Sequence, residues 1–96
     1  MPAYMLFIRE KPVHNAAEMA EYQRLNAASP RDPNLKPLVI YGNTEALEGE
    51  APDGIIMLQF PDVAAAKAWY NSPSYQAAMK HRQLAADYRA LIVEGL

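Results

Sequence analysis

Four short stretches of this chain are apolar at both parities, and that constrains the fold more than any other feature. Tyr4, Leu6 and Ile8 alternate with Met5 and Phe7, and Ile55 and Met57 alternate with Ile56, Leu58 and Phe60. Leu38 and Ile40 alternate with Val39 and Tyr41, and Leu91 and Val93 with Ala90 and Ile92. Successive side chains of a strand point to opposite sides, so a strand half in water alternates apolar with polar, and one that is apolar throughout must be covered on both sides. Each stretch is too short for a free-standing helix and rich in aromatic and branched residues, which makes it a strand.

Helical patterns separate the first two strands and the last two. Asn15 followed by Glu18 has the spacing of an N-cap and its reciprocal partner, and Ala17, Met19, Ala20, Tyr22 and Leu25 keep a helical period to about Ala28. Pro30, Pro33 and Pro37 hold a non-helical connector ahead of the second strand, which runs into the turn signal Gly42-Asn43. Residues 44–47 are expected to extend that strand, with a polar loop after them. Asp62 caps an alanine-rich helix over 63–70 that Asn71 ends, and Ser72-Pro73 starts a further helix reaching about Leu84.

The order strand, helix, strand, strand, helix pair, strand predicts an α+β fold. It is the ferredoxin-like split βαβ protomer, one domain over residues 1–96, with a four-stranded antiparallel sheet and helices on one face. These helices cover one face only. Roughly four large side chains on the other, each gaining ~2 kcal/mol on burial, favour an isologous homodimer with sheet packed on sheet.

Composition narrows function by exclusion. The absence of cysteine removes thiolate nucleophiles and Cys-based metal sites, and only two histidines remain, so no metal and no cofactor are expected. A net charge of −2 with no basic run argues against a nucleic-acid partner. No apolar stretch approaches the ~20 residues that span a bilayer, so no membrane partner is expected. The start, Met1-Pro2-Ala3-Tyr4, has no cationic segment before its apolar run, which makes cytoplasm the expected compartment. Glycine-rich phosphate loops, a serine elbow and the His-Glu-x-x-His pattern are all missing.

A set of spaced residues goes beyond these patterns. Glu48-Gly49, Pro52-Asp53, Leu58-Gln59-Phe60-Pro61, Ala65-Ala66, Trp69-Tyr70, Ser72-Pro73-Ser74-Tyr75-Gln76, Arg82 and Val93-Glu94-Gly95 together resemble the family numbered 1330 among domains of unknown function. That family lies within the dimeric α+β barrel superfamily. The resemblance implies a ferredoxin-like protomer and a sheet-on-sheet dimer, but no particular reaction. Relatives at superfamily level include cofactor-independent oxygenases, haem-degrading enzymes, isomerases and ligand-sensing modules.

The residues that could carry chemistry are few. Tyr75, Ala78, Met79 and Arg82 follow i, i+3, i+4, i+7, so one helix stripe bears a phenol and a guanidinium on its core side. Arg82 is the candidate anchor for a substrate carboxylate or enolate, because a guanidinium forks onto planar anions, and Tyr75 is a candidate hydrogen-bond donor. The structural alternative pairs Arg82 with Glu48 or Asp87 and ties helix to loop. His14, in the loop after the first strand, is a candidate base or pH sensor against an ordinary surface role. His81, one residue before Arg82, points elsewhere. Trp69 and Tyr4, with Tyr70 and Phe7, are candidate walls of an apolar pocket between sheet and helices, or plain core and dimer contacts. Glu48 is a candidate ligand contact from its loop.

Two functions follow. In the first, a small homodimer binds a small carboxylated or phenolic metabolite in a cleft between sheet and helices, with cofactor-independent oxygenase, isomerase or cyclase chemistry open to it. In the second, a non-catalytic accessory or stress-associated dimer has polar residues that are only structural. They differ in whether a cavity of some hundreds of Å³ opens beside Arg82 and whether its guanidinium is free of carboxylates.

Overall fold

The computed structural model describes all 96 residues. Strand β1 (Ala3–Arg9) leads to helix α1 (Ala16–Ala28), strands β2 (Lys36–Ile40) and β3 (Gly54–Phe60), helices α2 (Val63–Tyr70) and α3 (Pro73–Ala85), and strand β4 (Tyr88–Glu94). The strands form one antiparallel sheet in the order β2-β3-β1-β4, with β1 central and β2 and β4 at the edges. This is the ferredoxin-like α+β architecture expected from the order of elements.

Pleating sorts the strand residues cleanly. Met5, Phe7, Leu58 and Phe60 share the helix side and are buried, beneath Met19 and Tyr22 of α1 and Tyr75 of α3. Ala66, Ala78 and Ala85 have no exposed surface, and their small side chains let α2 and α3 lie close to the sheet. On the other side the register sets Leu6 beside Met57 and Leu91, and Ile8 beside Ile55. Nothing in the chain covers this second side: Leu91 is 40% and Val93 45% exposed. The apolar parity that seemed surplus in the sequence is therefore a bare face.

Local chemistry explains the boundaries. Asn15, Asp62 and Ser72 each cap a helix by accepting from the backbone N–H three residues on, at Glu18, Ala65 and Tyr75 respectively. Only half of the expected reciprocal box forms at α1, because the Glu18 carboxylate is drawn across to His81 of α3. Residues 44–47 do not extend β2. Tyr41 takes the left-handed conformation, with φ of 52°, which turns the chain out of the sheet, and Leu47 is left 90% exposed. Between Pro37 and Val39 the β2 register shifts by one residue, so Leu38 sits at a bulge and not within a regular ladder.

Candidate functional site

Arg82 rises from the last turns of α3 toward the sheet and is only 4% exposed. Its guanidinium carbon lies 5.1 Å from the ring centre of Phe7 and 5.0 Å from that of Tyr88, so the cation is held between two aromatic rings from neighbouring strands. The ion pairs of the chain are Arg9–Asp53, Arg24–Glu21, His81–Glu18 and Arg89–Glu10, and Arg82 belongs to none of them. It pairs with neither Glu48 nor Asp87. Its Nε is buried without any hydrogen-bond partner. An uncompensated buried cation is costly, and ring faces offset that cost only partly.

A cleft of about 440 Å³ opens beside this guanidinium, lined by Tyr70, Arg82, Gln83, Asp87, Tyr88 and Ala90. It lies on the helix side of the sheet, along edge strand β4. Tyr75 stands one helical turn-pair behind Arg82, fully in the core at 2% exposure, with its hydroxyl 3.2 Å from that of Tyr22. Burial pushes the Tyr75 phenol well above the ordinary tyrosine range, the neighbouring Tyr22 adds to the rise, and the positive charge of Arg82 opposes it. Tyr75 therefore stays neutral and acts as a hydroxyl, not as a phenolate.

Tyr75 does not border this cleft, and Trp69, His14, Glu48 and Tyr4 also lie apart from it. Trp69 stacks on Tyr75 at 4.1 Å and borders a different cleft, of about 680 Å³, between the proline-rich connector and the α2–α3 turn. His14 is exposed, with its backbone N–H donating to the Ala85 carbonyl at 3.0 Å. Glu48 is exposed in the loop after Tyr41. Tyr4 shares the bare face with Gln59 and Val93, its register partners. Of the residues picked out in the sequence, Arg82 and Tyr70 border this cleft with Phe7 against the guanidinium, whereas Tyr75 and Trp69 border the larger one. No three His, Asp or Glu side chains converge to hold a metal ion.

Tyr88 and what surrounds it leave no local pattern in the sequence. Arg9 Nε donates to Asp53 Oδ2 at 2.6 Å and Nη1 donates to the Tyr88 hydroxyl at 3.3 Å, while the Tyr41 and Tyr88 hydroxyls are 2.6 Å apart. The Arg9 guanidinium carbon also lies 4.6 Å over the Tyr41 ring. Gly54 makes room for this: a Cβ there would stand 2.6 Å from the Tyr41 ring. Tyr88 thus has an arginine at its hydroxyl and another against its ring face. Its partner Arg9 is 79 residues away in the chain, so only strand register could have disclosed the pairing.

Comparison with known proteins is consistent with this architecture. The profile of the family described as Domain of unknown function (DUF1330) matches residues 2–96, and the chain belongs to that family. A protein of unknown function from Rhodopseudomonas palustris is similar at 24% identity and a TM-score of 0.67, covering 99% of this chain and 82% of that one. A dimeric ferredoxin-like protein of unknown function from Jannaschia sp. aligns at 15% identity and a TM-score of 0.71, over 99% of this chain and 100% of its own. SnoaB from Streptomyces nogalater, a cofactor-independent oxygenase, aligns at 9% identity and a TM-score of 0.54, over 99% and 92%. At these identities the likeness is one of fold. No curated protein matches the chain. No helix is long and apolar enough to cross a membrane.

Proposed function

We propose that this family member is a small homodimeric protein that binds a small organic anion, a carboxylate or an acidic phenol, in the cleft beside Arg82. One observation carries the reading: a buried guanidinium, free of every carboxylate in the chain, borders a cleft of about 440 Å³. A cation left in that state is stabilised most by an anion from outside, and the fork of an arginine suits a planar carboxylate or enolate. Gln83 adds a polar group at the rim, and Tyr70 and Tyr88 supply aromatic walls.

The homodimer rests on the bare face. Leu6, Ile8, Ile55, Met57, Leu91 and Val93 make a contiguous apolar surface on the side opposite the cleft, so sheet-to-sheet pairing leaves the ligand entrance open. The dimeric Jannaschia neighbour supports such an assembly. The oxygenase neighbour makes cofactor-free oxidation one chemistry to assay, the ligand itself then supplying the electrons.

Two measurements test this. Light scattering on the eluted protein is expected to give twice the chain mass of 10.7 kDa. In a thermal-shift screen of small aromatic acids, keto acids and phenols, binding acids are expected to raise Tm in wild type and not in Arg82→Met; at a hundredfold excess over Kd, occupancy contributes about 2.7 kcal/mol. A screen in which no acid raises Tm, or in which the variant responds equally, rejects the anion site. A folded monomer at micromolar concentration rejects the assembly.

A further inference from the structure

The cleft beside Arg82 has a neighbour at Ala90. A second recess of about 270 Å³ begins there, lined by Met5, Tyr70, Ala90, Leu91 and Ile92, every one of them apolar or aromatic. The two spaces share Tyr70 and Ala90 and so adjoin at β4. One end holds the unpaired guanidinium and the other holds no charged group. Met5, 1% exposed, closes the floor, and Ala90, small and exposed, is the sill between the two halves.

Resting on the anion-site reading above, we infer that the ligand is an amphipathic monocarboxylate, its head at Arg82 and Tyr88 and its single ring or short alkyl tail laid past Ala90 into the recess. Three features of the site lead to this class. The head must be an anion, because the buried Arg82 has no acid of its own. The tail must be apolar and short, because the recess offers no hydrogen-bonding side chain besides the Tyr70 hydroxyl and is smaller than the roughly 300–1,000 Å³ of pockets for drug-sized ligands. The ligand must carry one charge and not two: Asp87 lines the head cleft and repels a second carboxylate there, and the apolar recess gives a second carboxylate at the tail end no partner.

The test is a calorimetric or chemical-shift titration of the wild-type protein with acetate, butanoate, hexanoate, 3-phenylpropanoate, hexanedioate and hexanamide. Affinity is expected to rise about three- to fourfold per buried methylene from acetate to hexanoate. 3-Phenylpropanoate should bind at least as well as hexanoate. Hexanedioate and hexanamide should each bind at least tenfold more weakly than hexanoate. In Ala90→Leu, which narrows the sill, the ratio of hexanoate to acetate affinity should fall toward one. Equal affinity for all monocarboxylates would overturn the inference and leave the anion site standing. Hexanamide binding as well as hexanoate, or no acid binding at all, would remove the anion site and the inference with it. A change of assembly mass in Ala90→Leu would assign the recess to the subunit contact and overturn the ligand.

Discussion

Two arginines meet the same tyrosine, and they are in opposite electrostatic situations. Arg9, at the end of the central strand, has the Asp53 carboxylate at 2.6 Å, the Tyr88 hydroxyl at 3.3 Å and the Tyr41 ring beneath it. Arg82, from a helix, has the Phe7 ring, the face of Tyr88 and no acid. Both are shielded from water, yet only Arg9 is neutralised within the chain. The difference lies in what each backbone brings near. The tight approach at Gly54 and the turn before it carry Asp53 to Arg9, whereas the strands facing Arg82 present rings and alanine. A closed charge of the first kind holds a sheet end together. An open charge of the second kind is useful only when something else closes it.

The sharpest way to break this comparison is to neutralise each arginine in turn. Arg82→Met should lower affinity for hexanoate by about a hundredfold or more, since charge-assisted bonds contribute ~1.5–3 kcal/mol each. The same change should leave Tm of the ligand-free protein unchanged or raise it, because an unpartnered charge leaves the interior. Arg9→Met should do the reverse, with Tm lowered and binding kept. A large fall in Tm for Arg82→Met without ligand would make the two arginines equivalent and the cleft structural.

Gly54→Ala comes next. Its Cβ must displace the Tyr41 ring, and crowding of that kind costs about 1–3 kcal/mol in a denaturant titration. Asp53→Asn is expected to cost about 1 kcal/mol, as befits a pair whose side chains are 18% and 28% exposed.

Alkaline pH gives a smaller effect, shared by both sites. Burial raises the Tyr75 phenol above its ordinary value of 10.0, so the folded state keeps a proton that the unfolded chain gives up first. The stabilisation is complete below pH 10.0 and is lost as pH climbs above it, at up to about 1.4 kcal/mol per pH unit for this group. Tyr41 shifts in the same direction, through burial and its hydrogen bond with Tyr88, but is more open to solvent. Melting curves between pH 9 and 11.5 should therefore flatten in both Tyr75→Phe and Tyr41→Phe, because both phenols keep their protons in the folded state across this window. An unchanged slope in Tyr75→Phe would mean that its hydroxyl ionises as freely in the folded chain as in the unfolded one.

How much of this was legible in the chain depends on the range of the interaction. The caps at Asn15, Asp62 and Ser72 act over three residues, and each was readable as a local pattern. The strand at 44–47 was misread because the left-handed turn at Tyr41 gives no sign in composition: tyrosine is not a residue that favours it, and the ring's place over Gly54 and against Arg9 is what holds it there. The Tyr75 and Arg82 stripe was visible as helical spacing. Whether Arg82 had an acid partner was not, since Asp87 lies only five positions along the chain and yet forms no pair with it. Tyr88 carried no signal of its own.

Residue order alone determined that four strands are apolar on both sides, that helices cap where they do and that one sheet face lacks cover, because periodicity and capping are properties of neighbours in the chain. Tertiary structure decided which arginine is neutralised and which is left open, and that two small spaces both border Ala90. Those outcomes depend on strand register and helix placement, which bring together groups as far as 79 residues apart, and charge compensation is settled by such distances in space.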